Sequence, residues 1–143
     1  MKIFDDKHLT KKQLRTLLCV FAKRKGVDRV SFNNKGKFVN GTYNALTKIM
    51  YVNTNQTKKE MLNTFFHEMG HHEAVKQNRW TNYHFNLMSN LTYEKVFYIE
   101  NKIDKIGKKL WYKFVDIKQW GRYKYAYPKA LKNNIIKHFI SNS

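Results

Sequence analysis

His67 and His71, four positions apart with Glu68 beside the first, constrain the fold of this chain more than any other feature. Residues i and i+4 stand one turn apart on the same face of an α-helix, so the two imidazoles can converge on a single ion only if the segment between them is helical. Glu68 lies about 100° further round the helix and cannot join them as a ligand. Its carboxylate falls beside the position that a bound ion would leave open, where a base is useful. The flanks supply the helix. Thr57 and Glu60 have the spacing of a capping box and mark a start about three turns before the histidines. Met61, Leu62, Phe65, Phe66, Met69 and Val75 recur at helical spacing, which predicts a core helix over 57–76.

His67-Glu68-Met69-Gly70-His71 is the H-E-x-x-H pattern of zinc hydrolases. Random shuffling of this composition produces it roughly once in a hundred chains, so it is specific enough to organise the rest of the reading. A catalytic zinc site needs three protein ligands and one open position. Glu100 is the expected third ligand. A second helix is predicted over 92–112, with Val96, Ile99, Ile103, Ile106 and Leu110 as its apolar stripe, and a helical hairpin can return Glu100 to the metal. Asp104, one turn further along, can accept a hydrogen bond from the far nitrogen of a ligand histidine, fixing its tautomer. Gly107 is small enough to let another helix approach closely. The competing third ligand is His84, thirteen residues after His71 in a predicted loop. With Glu100 in the metal shell, His84 is expected in the cleft wall, and His84→Ala is expected to leave metal affinity almost untouched. His72 faces another way and is expected at the surface or in the outer shell. His8 and His138 receive no role.

The remaining elements are legible in order. Thr10 can cap a helix over 11–25 that carries Leu14, Leu17, Leu18 and Phe21 on one face and stops at Gly26. Residues 27–32 alternate as a half-buried strand does, and Asn33-Asn34-Lys35-Gly36 has turn chemistry. A second strand is expected to begin over 37–40, with 41–46 ambiguous, and a third covers Ile49–Asn53. The expected class is α+β: a zincin-like minimal domain whose small antiparallel-containing sheet packs on the active-site helix and a second ligand-bearing helix. The chain of 143 residues, 42% hydrophobic, is read as one domain, with a basic, aromatic extension from about residue 111. That extension carries Trp120, Arg122, Tyr123, Lys124, Tyr125 and Tyr127, and Pro128 suits the first turn of a last helix to about Ile140.

Composition bounds the partners. The single cysteine, Cys19, excludes an internal disulfide framework and is read as a small buried hydrophobe. No apolar run approaches the length needed to cross a bilayer, so a soluble protein in a reducing cytoplasm is expected. The net charge of +18, from 28 basic and 10 acidic residues, suggests a polyanionic partner such as nucleic acid. A lysine-rich, solvated surface explains the same charge without any partner.

His67-Glu68-x-x-His71 followed by Glu100-x-x-x-Asp104 resembles the gluzincin branch of zinc metallopeptidases. The compact layout is similar to ImmA/IrrE-like and phage-encoded minimal metallopeptidase domains. The resemblance covers about residues 49–110 and implies one zinc per chain, a peptide or protein substrate, and Glu68 as general base. It also implies a small twisted sheet whose edge strand, expected at Ile49–Asn53, holds the extended peptide by main-chain bonding. A protein of that kind would work in the host cytoplasm or the virion if phage-encoded. Were His84 the third ligand instead, the pattern would resemble SprT-like proteases, some of which act on proteins attached to DNA. Two further classes remain open at this point. One is a nucleic-acid-binding module using the basic and aromatic residues over 108–129. The other is a phage structural protein that retains a zincin fold. For the oxyanion of a hydrolytic step, His84 and the tyrosines over 123–127 are the candidate donors. Substrate identity and oligomeric state are not legible in the sequence.

Overall fold

The computed structural model describes residues 10–36, 38–88 and 90–114. The expected basic extension beyond 114 and the last helix to Ile140 lie outside the described residues, as do His8 and His138. The elements run α1 (Lys11–Arg24), β1 (Arg29–Asn33), β2 (Gly41–Asn44), β3 (Ile49–Asn53), α2 (Lys58–Lys76), α3 (Thr81–His84) and α4 (Tyr93–Phe114). The class is α+β, with a three-stranded mixed sheet. No helix among the described residues is long and apolar enough to cross a membrane.

Both expected caps form. Thr10 accepts from the backbone of Gln13 while the Gln13 side chain accepts from Thr10, and Thr57 and Glu60 make the same reciprocal pair at the start of α2. Two orphan donors are satisfied at each helix start. At the far end of α1, Gly26 takes a φ of 93°, a left-handed conformation that glycine adopts at no steric cost. Leu14, Leu17, Leu18, Phe21 and Ala22 form the buried stripe of α1. Cys19, next to that stripe, is half-buried rather than buried, and burial raises its thiol pKa.

The sheet differs from its sequence reading in three respects. β2 starts at Gly41, not within 37–40; β1 is parallel to β3; and the strand order β1-β3-β2 makes β3 central, not an edge. The segment described by residues 34–36 and 38–40 does not close a hairpin on β1. It crosses the end of β3 instead, tied there by the Tyr51 hydroxyl on Gly36 N–H at 3.0 Å and by Asn53 Nδ2 on the carbonyls of Gly36 and Val39 at 3.0 and 3.2 Å. The physical reason is burial. β3 carries Met50 and Val52, both fully inaccessible, and a strand with that apolar content is more favourably placed between two neighbours than at a margin. The β2–β3 connection is the hairpin, with the Asn44 side chain accepting from Leu46 and Thr47 N–H.

Helix α2 is the central element, packed against the sheet on one side and α4 on the other. Its buried residues, Met61, Leu62, Phe65, Phe66, Met69 and Ala74 among them, run round most of its circumference, as a helix enclosed by two layers requires. Phe21, Phe66 and Phe114 join α1, α2 and α4 through tilted and edge-on ring contacts 5.2–5.8 Å apart. The α2–α4 crossing rests on two glycines. A Cβ on Gly107 would run into the backbone carbonyl of Phe66, and one on Gly70 into that of Ile103. The obstructing atoms are backbone and cannot rotate away. Gly107→Ala is therefore expected to destabilise the fold by about 1–3 kcal/mol in denaturant unfolding. If backbone crowding were absent, helix propensity alone would make the same variant more stable by about 1 kcal/mol, so the sign of the change decides.

Candidate metal centre

Where the two glycines bring α2 and α4 together, the facing side chains one turn along meet as well. His67 Nε2 lies 3.0 Å and His71 Nε2 3.1 Å from a single oxygen, Glu100 Oε2. Ligand atoms around a tetrahedral zinc with bonds of 2.0–2.1 Å are separated by about 3.3 Å. Glu100 Oε2 thus stands from each of the two ring nitrogens at close to the separation that such an ion would impose between its ligands. His67, Glu68 and His71 together form a group that could hold a metal ion, with one donor atom of each within 4.8 Å of the others. Two carboxylates therefore compete for the third place. Glu100 lies at hydrogen-bond distance from a nitrogen of each ring, and Glu68 lies within 4.8 Å of both.

Glu68 occupies a different environment. It is 8% exposed, on the side of α2 that faces β2. Gly41 allows this close approach: a methyl group there would lie 2.5 Å from Thr64 Cγ2 and 3.4 Å from Glu68 Cγ. Burial raises the Glu68 carboxyl, with the nearby His71 and His67 acting in the opposite sense.

The outer atoms of the three candidate ligands are also engaged. His67 Nδ1 lies 3.3 Å from Asp104 Oδ1, His71 Nδ1 3.0 Å from His84 Nε2, and the Tyr83 hydroxyl donates to Glu100 Oε1 at 2.7 Å. His67, flanked by two carboxylates, is raised to about 9, chiefly by its hydrogen bond to Glu100 and despite burial. Burial alone would raise Glu100, but the hydrogen bonds from His67, His71 and Tyr83 together outweigh it and hold the group below the ordinary carboxylate range. Burial, then the bond to Glu100, raises the Tyr83 hydroxyl well above its usual value, so it stays a donor. Burial and the adjacent His71 lower the pKa of His84.

The structure thus gathers His67, Glu68, His71, Glu100, Asp104 and His84 in one place. His84 meets the back of the His71 ring through its Nε2, so it stands behind a candidate ligand. His72 corrects its expected surface or outer-shell place. It is 1% exposed on the sheet side of α2, its Nε2 donating to Lys25 O at 2.8 Å and its Nδ1 accepting from the Tyr43 hydroxyl at 2.6 Å. Both bonds suit a neutral ring, and burial lowers its pKa accordingly. His72 therefore ties the end of α1 and the strand β2 to the metal helix. Sequence reasoning missed Tyr83 altogether, because it lies on α3, a four-residue helix inside what reads as a polar loop. Its only local signal is the aromatic and histidine content of the run from Trp80 to His84. No family model, curated protein or solved structure matches the chain.

Proposed function

We propose that this protein is a zinc-dependent metallopeptidase of gluzincin type. The observation that carries the reading is the convergence of Glu100 Oε2 on the Nε2 atoms of His67 and His71, with the buried carboxylate of Glu68 close beside them. His67, His71 and Glu100 would hold the ion. Zinc bound there supplies a water of lowered pKa and polarises a substrate carbonyl. Glu68 accepts the proton of the attacking water and returns it to the leaving amine, a role favoured by a carboxyl whose pKa burial has already moved toward neutrality. Asp104 holds the Nδ1 proton of His67 and so fixes that ring's orientation.

The peptide-binding edge is β2 rather than β3. β2 is an outer strand of the sheet and lies over α2 beside Glu68, so an extended substrate pairing with its free edge would run past the base. The test is metal content and peptidase activity of the full chain. About one zinc per chain is expected by elemental analysis, lost together with peptide hydrolysis in the His67→Ala/His71→Ala double variant. Stoichiometric zinc surviving in that variant would overturn the site.

A further inference from the structure

The short helix α3 reaches two of the three candidate ligands from behind with two consecutive side chains. None of its four residues is fully buried, so hydrophobic burial alone does not explain its placement against α2 and α4. Its polar contacts are specific. His84 Nδ1 lies 3.1 Å from the carbonyl oxygen of Trp80, which can only accept, so that nitrogen carries the ring hydrogen. In the neutral ring Nε2 is then the acceptor, and the atom 3.0 Å from it, His71 Nδ1, must donate. His71 is thereby left with Nε2, the atom facing Glu100, as its ligating nitrogen. Tyr83 does the equivalent for the carboxylate. With its hydroxyl on Oε1 at 2.7 Å, Glu100 has only Oε2 turned toward the two histidines.

The backbone is shaped for this arrangement. Trp80 sits at a φ of 52°, a left-handed conformation that a bulky side chain adopts only at a cost in strain. In that conformation its carbonyl accepts from both the backbone N–H and the ring of His84, each at 3.1 Å. Strain held at Trp80 is thus linked to the orientation of a ring that itself orients a candidate ligand.

We propose that Tyr83 and His84 are positioning residues that set the coordination mode of the metal centre, His84 by locking His71 as an Nε2 ligand and Tyr83 by restricting Glu100 to one oxygen. The inference rests on the metal reading above. Its consequence would be that a bound ion keeps a fourth position open, since a carboxylate binding through both oxygens would fill it. The outer contact to His71 is unusual in being a histidine, where a carboxylate or backbone carbonyl is the commoner partner. An imidazole, unlike a carboxylate, orients the ring without adding negative charge.

The test uses the full chain with zinc and with cobalt(II) in its place. His84→Ala is expected to weaken zinc affinity 10–100-fold in competition with a chelator. In the zinc-loaded protein the Nδ1 proton of His71, seen by nitrogen-15 NMR, is expected to exchange rapidly in that variant. His84→Gln, whose amide oxygen can take the place of Nε2, is expected to restore both. Tyr83→Phe is expected to reduce the visible absorption of the cobalt form, as four-coordination gives way to five when Glu100 binds through both oxygens. A merely structural role would lower affinity alike in His84→Ala and His84→Gln, in step with lost thermal stability, and would leave the cobalt spectrum of Tyr83→Phe unchanged; either result overturns the proposal. Affinity within threefold of the parent in His84→Ala would do so too. Absence of stoichiometric zinc in the parent chain itself is a separate outcome, and it would remove the metal reading along with this one.

Discussion

Glu68→Gln is expected to keep its zinc and its fold while losing peptide hydrolysis by about 10²–10⁴-fold, the range associated with removal of a positioned general base. The substitution is nearly isosteric, and at 8% exposure against Gly41 and Thr64 the site keeps its shape. What changes is the capacity to take a proton. An amide in that place cannot accept one from the attacking water, while the two ring nitrogens and Glu100 Oε2 are left unchanged. Elemental analysis and a peptidase assay on the same preparation separate the two properties. Loss of zinc in Glu68→Gln would identify Glu68 as a ligand. The metal group would then be His67, Glu68 and His71, and Glu100 would be an outer contact.

Glu100→Ala should be the variant most damaging to metal binding outside the histidines. It removes the oxygen on which both Nε2 atoms converge, so zinc affinity should collapse, whereas Asp104→Ala, which only frees the back of the His67 ring, should cost about 10–100-fold. His84→Ala belongs with Asp104→Ala. The sequence alone led to the expectation that it leaves affinity almost untouched; the 3.0 Å contact with His71 is the ground for expecting a cost instead. The SprT-like alternative reverses the order, with His84 indispensable and the two carboxylates dispensable. Glu100→Ala has a second readout in the metal-free protein. His67 is raised from 6.5 to about 9, first by its bond to Glu100, so the folded state binds this proton more tightly than the unfolded chain. The resulting stability is fully present below about pH 6.5 and is lost as pH rises through 9. Removing Glu100 should flatten that dependence in urea unfolding measured across the range, and an unchanged slope would contradict the assigned contact.

The local rules were legible where one element contained all the information. Caps at Thr10 and Thr57, the stop at Gly26 and the apolar stripes of α1, α2 and α4 follow from composition at fixed spacing, because a helix converts sequence separation directly into angle. The same conversion places His67 and His71 on one face and Glu100 and Asp104 on another, each pair one turn apart. Gly107 announced a close helix approach, and the structure supplies its partner, Gly70.

What no spacing rule contains is the relation between elements. The turn chemistry of residues 33–36 is compatible with a hairpin. The chain instead crosses the end of β3, because β3 has the apolar side chains that favour a central place, and this leaves β1 and β2 as the outer strands. His72 resembles a surface residue in a polar run, yet the sheet closes over it and makes it a buried link between Lys25 and Tyr43. Tyr83 and His84 gain their partners only because α3 folds back toward α2 and α4. By itself the sequence determined which side chains share a face, since that depends on backbone geometry within one helix. Only the tertiary structure decided which faces meet and at what distance, since that depends on how closely two backbones approach at Gly70 and Gly107, and an approach set across 36 intervening positions has no local signature.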